Sequence, residues 1–493
     1  INLLKGDTLP VSSFIKNKEG IFEGTTTKEE KRNIAEEVPC WISENCIECN
    51  QCAFSCPHGV IRPFLLDKKD SKVESIPSLL PKDKEFTIGI NYEECTGCGV
   101  CTLACPGKLG KKALEMVPNK DKENNFEYLL KNNVNDKYQS NLLTVKNVSF
   151  KEPKFEYSGA CAGCGETPYI TNLTRVFNDN LMIANATGCS SIYSGSVPSM
   201  PYSIPWASSL FEDNTEYGYG ILQGINIKRD KIKKYMKEYP RNKLFKKWIE
   251  NMDNYDICKE VKENIDYKKH PYLNDMKDYI LPKQLWVLGG DGFAYDIGYG
   301  GLDHVLSKKD NINILVLDTE VYSNTGGQSS KSSNIGSVAS FTSNGKDNYK
   351  KDLARIAMCY PHVYVASVNI GYNKEQYLKA IKEASLHNGP SLIIAYSPCI
   401  EHGIKTGMQH SQSNGYLATK CGYFLTFRYN PDTKKFSLDS KEPEFDKYED
   451  YLMTENRFAS LVRKDKERAR LLLEEQKQWA IDRYNYYKKI SEE

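Results

Sequence analysis

Eight of the sixteen cysteines fall in two runs of one shape: Cys46, Cys49, Cys52 and Cys56 before Pro57, and Cys95, Cys98, Cys101 and Cys105 before Pro106. In each run, two-residue gaps put three thiolates on one tight loop, within reach of three corners of an iron–sulfur cubane. A three-residue gap then turns the fourth thiolate away, toward a second cluster. The spacing assigns Cys46, Cys49, Cys52 and Cys105 to one [4Fe–4S] cluster, and Cys95, Cys98, Cys101 and Cys56 to another. Zinc sites favour separated CxxC pairs over a continuous CxxCxxCxxxCP, and a disulfide framework suits short secreted chains.

A second constellation lies further on. The apolar run Leu285–Leu288 leads into Gly289-Gly290-Asp291-Gly292, and Ile312–Leu317 leads into Asp318 and the loop up to Gly327. Glycines let backbone N–H groups approach a diphosphate closely. Asp291 and Thr319 offer hard oxygens to Mg²⁺, which binds through few protein ligands when phosphate oxygens complete its shell. A Gly-Asp-Gly followed about thirty residues later by a metal-binding residue is similar to the thiamine diphosphate (TPP) motif, although that motif carries Asn where this chain has Thr319. A lone Gly-Asp-Gly is also an ordinary turn; the matched second loop separates the two readings.

A third constellation consists of Cys161, Cys164 and Cys189, three thiolates lacking a fourth. The remaining candidates are Cys40, Cys258, Cys359, Cys399 and Cys421. Cys399 is the expected ligand, because Ser397-Pro398-Cys399 closes the strand Ser391–Tyr396 on the edge that carries the glycine loops. Cys359 follows a helix in an apolar setting and reads as a buried core thiol, as do Cys40, Cys258 and Cys421. A CxxC alone is also compatible with a redox-active pair; two clusters upstream favour a third cluster.

The elements that must position these residues fit a length of 493, which suggests two to four domains. We expect an N-terminal extension (1–40), a ferredoxin-type 2[4Fe–4S] domain (41–117), a linker or wrapping strand (118–150), a TPP-binding domain (151–455) with an insertion near 228–282, and one long charged helix (456–493) that clamps a neighbouring surface. Buried strands are expected at Leu285–Leu288, Ile312–Leu317, Val363–Val368 and Leu392–Tyr396. Helices are expected at Ile297–Leu306, Lys350–Met358 and Lys374–Leu386. Such alternation implies an α/β, Rossmann-like domain with a parallel sheet. The net charge of +2 gives no reason to expect nucleic acid. No apolar run is long enough to cross a bilayer, and no signal peptide is evident. The first residue, Ile1, suggests a start processed or excised from something longer. Clustered CxxC points to a reducing compartment, hence the cytoplasm, or an organelle such as a hydrogenosome or mitochondrion.

On the double Cys run, Cys161-Ala162-Gly163-Cys164-Gly165-Glu166, Thr187-Gly188-Cys189-Ser190-Ser191, Gly290-Asp291-Gly292, Asp318 through Gln328 and Tyr396-Ser397-Pro398-Cys399, the chain resembles the C-terminal part of pyruvate:ferredoxin (flavodoxin) oxidoreductases, or the equivalent part of pyruvate:NADP oxidoreductases. In that family Thr fills the metal position. The resemblance implies Mg²⁺ on Asp291, Thr319 and the Val321 carbonyl. It implies TPP contacts at Glu166, Cys189, Gly290, Asp291, Gly292, Phe293, Thr319, Glu320, Val321, Tyr322, Ser323 and Asn324. It further implies a proximal [4Fe–4S] cluster on Cys161, Cys164, Cys189 and Cys399, with Asn324 beside the substrate in a catalytic role.

The implied reaction is oxidative decarboxylation of pyruvate with coenzyme A to acetyl-CoA and CO₂. Electrons would leave TPP through three [4Fe–4S] clusters to ferredoxin or flavodoxin. The module that grips the aminopyrimidine of TPP is not visible, so the implied partners include missing N-terminal domains and a second copy in a homodimer. Lys68, Lys69, Lys108, Lys111 and Lys112 flank the cluster loops in sequence and suggest a basic face for an acidic acceptor. Alternatives are another 2-oxo acid oxidoreductase, an NADP-linked fusion enzyme, or an electron-transfer protein with a non-catalytic TPP-like domain.

Overall fold

Every loop singled out above hangs from a strand or short helix that fixes where its side chains point. The structure is a computed structural model; it describes residues 5–17, 24–120, 124–138, 140, 142–195 and 200–492. In the N-terminal domain, β1 (Glu37–Trp41) pairs antiparallel with β5 (Leu114–Pro118). β2 (Ile61–Leu66), β3 (Ile76–Pro77) and β4 (Glu85–Ile90) form a three-stranded antiparallel sheet in the order β2-β4-β3. Val38, Trp41, Ala53, Ile61, Phe86 and Ile88 are the centre of its core.

The two cysteine runs repeat one backbone device. Glu48 and Gly97 stand at the same place in their runs, as do Asn50 and Gly99, and all four have positive φ (52°, 68°, 57° and 75°). The left-handed turns bend each loop back so that its three thiols face inward. Glu48 bears that conformation without being glycine because its buried carboxylate is anchored: it accepts from the Leu79 N–H at 2.7 Å and from Lys146 Nζ at 3.0 Å. Each run then enters a short helix, Gln51–Ser55 or Val100–Ala104.

The stretch 118–150, read as a linker or wrapping strand, is helical over much of its described length. The helix Phe126–Asn132 buries Phe126 and Leu129 against Phe64, Leu66 and Val73, and the helix Val145–Ser149 buries Val145 and Val148 in the core of the following domain. Part of the polar run that suggested a linker, Asp121 to Glu123, lies outside the described residues. The apolar positions that drive packing come just after it.

The second domain is an eight-stranded sheet in the order β13-β12-β10-β11-β9-β8-β6-β7. Its strands are β6 (Leu181–Ala186), β7 (Trp206–Ser209), β8 (Gln284–Gly289), β9 (Asn313–Asp318), β10 (Tyr364–Val368), β11 (Ser391–Tyr396), β12 (Phe427–Asn430) and β13 (Lys435–Leu438). The six strands from β10 to β7 are parallel, and the β12–β13 hairpin is added antiparallel at one edge. The four strands expected from sequence are β8 to β11, buried on both faces as near-continuous apolar runs. The helices expected at Ile297–Leu306, Lys350–Met358 and Lys374–Leu386 are found at Tyr299–Leu306, Leu353–Ala357 and Lys374–Leu386. The helix Asn214–Lys237 begins against β6 and β8 and runs on into a helical lobe. That lobe has its own core of Ile232, Met236, Phe245, Trp248, Val261 and Leu273, where the insertion was expected.

The C-terminal segment differs from the expected single helix. It is two helices, Asn456–Lys464 and Lys466–Glu492, because Asp465 is extended (φ −150°, ψ 94°) and its Oδ1 accepts from the Arg468 N–H at 3.0 Å. Asp at an N-cap satisfies an otherwise orphaned helix donor. The second helix packs on its own domain's edge hairpin. Tyr487 stacks on Phe427 (centroids 4.4 Å apart) and Phe436 (5.6 Å), and its hydroxyl donates to Asp352 at 2.8 Å. Tyr487→Ala should lower stability by about 3–5 kcal/mol, the cost typical of emptying a buried aromatic site, and Tyr487→Phe by about 1 kcal/mol. Chemical denaturation with a signal from the C-terminal helix checks both.

Candidate active site

Five strand-end loops converge on one edge of the parallel sheet. β6 ends in Thr187-Gly188-Cys189, β7 in Leu210-Phe211, β8 in Gly290-Asp291-Gly292, β9 in the loop from Thr319, and β11 in Ser397-Pro398-Cys399. Parallel strands bring all their carboxyl ends to one side, where open α/β sheets hold ligands. The first four loops and Glu166 enclose a cavity of about 430 Å³. Every residue expected around the TPP lines it except Glu320. Phe211 and Ile297 also line it; sequence reasoning missed both, since an apolar residue on a loop carries no local signal.

Asp291, Thr319 and Val321, expected to hold Mg²⁺, all line this cavity. Asp291 opens a short helix after Gly290 and is buried. Its Oδ2 accepts from Ser330 Oγ at 2.5 Å, while its buried Oδ1 has no partner among the described residues. Thr319 Oγ1 donates to the Val321 carbonyl at 3.0 Å, so these two oxygens are neighbours. Burial, with Asp318 close by, pushes the Asp291 carboxyl well above its usual range. A hard cation beside the orphaned oxygen would relieve that penalty.

Glu320 faces the other way. Its backbone is left-handed (φ 58°) and its side chain enters a buried ion network. Lys350 Nζ lies 2.7 Å from Oε1 and Arg457 Nη1 2.9 Å from Oε2, while Tyr423 donates its hydroxyl to the same carboxylate. Against burial, which pushes it up, these cations hold the carboxyl down to about 2. Lys350 also bonds Asp318 at 2.8 Å, and His402 Nε2 donates to the Thr319 carbonyl at 2.6 Å. The Glu320 side chain thus braces the loop after β9 from behind.

A second cavity, about 140 Å³, adjoins the first. Cys161, Cys164, Cys189 and Cys399 all line it, so the structure brings together the four thiols of the expected proximal cluster. Glu166, Cys189, Thr319 and Asn324 line both cavities. Burial and the Glu166 carboxylate raise the Cys164 and Cys189 thiols, and burial pushes Cys399 up to about 12. Such thiols ionise when iron takes them as ligands. Burial pushes Glu166 itself up to about 7, and the Tyr193 hydroxyl donates to it at 2.8 Å.

The eight thiols of the two cysteine runs lie in two neighbouring groups. Cys46, Cys49, Cys52 and Cys105 line one small cavity beside Trp41. Cys56 lies among Cys95, Cys98 and Cys101, near enough that its ionised thiol would raise all three. Among the described residues no three His, Cys, Asp or Glu side chains close on a single-ion point. The Cys98 thiol also meets the Gly163 backbone, which ties this group to the proximal one. Gly163 is left-handed (φ 79°), and a Cβ there would come within 2.6 Å of the Met408 carbonyl. Neighbour by neighbour, the large cavity adjoins Cys161 and its partners, these adjoin the Cys98 group through Gly163, and that group adjoins Cys52.

The leftover cysteines are more varied than expected. Cys258 and Cys421 are buried core thiols, but Cys359 is exposed and Cys40 half-buried. Cys359 sits just past the end of its short helix, where its Sγ reaches back to the Arg355 carbonyl. Lys108, Lys111 and Lys112 are exposed beside the Cys46 group, with Leu109 98% exposed between them. Lys68 and Lys69 lie past the far end of β2, roughly 16 Å along the strand from its cluster end.

Comparison with known proteins finds matches for both domains. Residues 45–109 match the family described as 4Fe-4S dicluster domain, residues 278–395 that described as thiamine pyrophosphate enzyme, C-terminal TPP binding domain, and residues 1–35 a domain of unknown function. A pyruvate:ferredoxin oxidoreductase of Moorella thermoacetica is 44% identical over 100% of this chain and 45% of its own length. A pyruvate-flavodoxin oxidoreductase of Klebsiella pneumoniae is 41% identical over 99% of this chain and 44% of its own. A pyruvate dehydrogenase [NADP(+)] of Cryptosporidium parvum is 38% identical over 100% of this chain and 29% of its own. The chain thus spans less than half the length of these relatives.

Two substitutions test the site. Cys399→Ala should lower iron from about twelve to about eight atoms per chain and leave the ferredoxin-type signals in place; a loss of iron from Cys421→Ala instead would move the fourth ligand. Asp291→Ala should weaken Mg²⁺-dependent TPP binding at least tenfold, read by calorimetry, with iron content unchanged.

Proposed function

From a chain homologous along its whole length to pyruvate:ferredoxin and pyruvate-flavodoxin oxidoreductases, we propose that it is the C-terminal, TPP- and iron–sulfur-bearing part of an enzyme that oxidatively decarboxylates pyruvate. Coenzyme A takes the acetyl group, and the electrons leave to ferredoxin or flavodoxin. The observation that carries this reading is the shared wall: Glu166, Cys189, Thr319 and Asn324 face both the large cavity and the cavity ringed by four thiols. A decarboxylase without electron transfer has no use for the second cavity, and a simple electron carrier has none for the first.

TPP supplies the electron sink for decarboxylation, and iron–sulfur clusters take up electrons singly. The chain's own residues hold and shield. Asp291, Thr319 and the Val321 carbonyl would hold Mg²⁺ against the diphosphate, and the Gly290 to Phe293 turn would present backbone N–H groups to it. Phe211 and Ile297 exclude water from the apolar side. Asn324, on the shared wall, offers an amide to a substrate carboxylate. Three groups of four thiols form the electron path, and the basic turn Lys108-Leu109-Gly110-Lys111 with Lys112 offers an acidic acceptor a landing place at its far end.

The large cavity is open on one side, and exposed apolar residues stand on the strand-end loops and helices around the two cavities: Ile192, Leu210, Ile297 and Ile400 are 52 to 62% exposed. Such a rim suits a protein surface that closes the site. We assign it to the module that grips the aminopyrimidine, on the N-terminal domains or a second copy, where coenzyme A and most substrate contacts would also lie. Pyruvate is preferred over other 2-oxo acids because the relatives described above are named for it.

Residues 1–493 alone should therefore retain iron yet reduce viologen dye with pyruvate at less than a hundredth of the rate of the enzyme completed with the missing domains. Comparable rates would overturn the division of labour.

A further inference from the structure

One charged group at the junction of the two domains has no counter-charge among the described residues. Arg175 belongs to the helix Thr167–Phe177 of the TPP-binding domain, and it is 0% exposed. Its Nη1 donates to the Ala53 carbonyl at 3.1 Å and to Asn172 Oδ1 at 2.9 Å, and Asn172 Nδ2 donates to the Phe54 carbonyl at 2.8 Å. Ala53 and Phe54 lie in the helix Gln51–Ser55, between Cys52 and Cys56. Arg175 Nε and Nη2 are buried without a partner, and no described carboxylate pairs with the guanidinium. Its charged surroundings are Arg62, a second cation already bound to Glu156, and two thiols, Cys56 and Cys52.

Arginine cannot shed its proton as a buried lysine can. An isolated buried cation is strongly unfavourable unless something of opposite sign stands near it. The two nearby thiols belong one to each ferredoxin-type ligand group. A cubane held by four thiolates carries net negative charge and gains another on reduction, so the missing counter-charge lies in the clusters themselves. We propose that Arg175 is a positioning residue: its guanidinium is the fixed counter-charge between the two ferredoxin-type clusters. It raises the reduction potential of those clusters and fastens their domain to the TPP-binding domain. A positive charge at short range in a dry interior favours the more negative, reduced state. With its partner Asn172, it also occupies carbonyls at the end of the helix that carries Cys52 and stops just before Cys56. This inference rests on the cluster reading above but not on the substrate.

The test is a potentiometric titration followed by EPR on the whole enzyme, comparing wild type with Arg175→Lys, Arg175→Gln and Arg175→Met. Loss of charge in the Gln and Met variants should disfavour reduction of at least one ferredoxin-type cluster about tenfold, a shift of ~59 mV to lower potential for one electron. The Lys variant should stay near wild type, and the Cys161/Cys164/Cys189/Cys399 cluster should not move. If Arg175→Met fails to fold, Arg175→Gln, which keeps a donor for the Ala53 carbonyl, decides. Fully loaded neutral variants with wild-type potentials would overturn the proposal, as would a Lys variant shifted as far as Met, which would indicate shape rather than charge. A wild-type protein that holds no iron at the eight N-terminal thiols would instead overturn the cluster reading itself, and this inference with it.

Discussion

The parallel register of β6, β8, β9 and β11 is the constraint on which the rest depends. Side by side and running the same way, these strands deliver Cys189, Asp291, Thr319 and Cys399 to one edge. Diphosphate-type and cluster-type ligands can share a wall only because neighbouring strand ends lie about 5 Å apart. A change in strand order would separate Cys399 on β11 from Thr319 on β9. The buried ions behind that edge, Lys350 and Arg457 against Asp318 and Glu320, hold the β9 loop in its left-handed turn. Breaking one member would leave charge stranded in the interior.

The ferredoxin-type domain is fastened to the second domain by hydrogen bonds to its backbone and by Phe54, which is buried in that domain's core. Gly163 lets the Cys161 loop approach Met408 and the Cys98 thiol. Asn172 and Arg175 reach across to the carbonyls of Phe54 and Ala53, and the helix Val145–Ser149 enters the second domain's core. These contacts fix the order of the thiol groups, and order is what an electron path requires.

Much of the site was legible in the sequence because its signals are local. The two CxxCxxCxxxCP runs carry their expected crossed assignment in their spacing, and Cys399 is the expected fourth thiol because it follows an apolar strand ending on the ligand edge. Glu320 lay in a matched motif, but its side chain turns away once its backbone turns left-handed, and no spacing rule carries that. Phe211, Ile297 and Arg175 act through contacts made by distant segments, so their neighbours in the chain give no hint. The helix break at Asp465 was hidden by an unbroken charged pattern, and Cys359 was misread because an apolar setting in sequence does not decide which face of a short helix is covered. The helices of 126–149 were missed because the polar run before them dominated the reading.

The central claim is that electrons leave the large cavity through the group of four thiols beside it. Freeze-quench EPR on the completed enzyme mixed with pyruvate tests this most directly, comparing wild type with Cys164→Ala. The account predicts that the ferredoxin-type clusters are reduced within the turnover time in wild type and remain oxidised in Cys164→Ala, although TPP still binds. Reduction of those clusters at the wild-type rate in Cys164→Ala would contradict it.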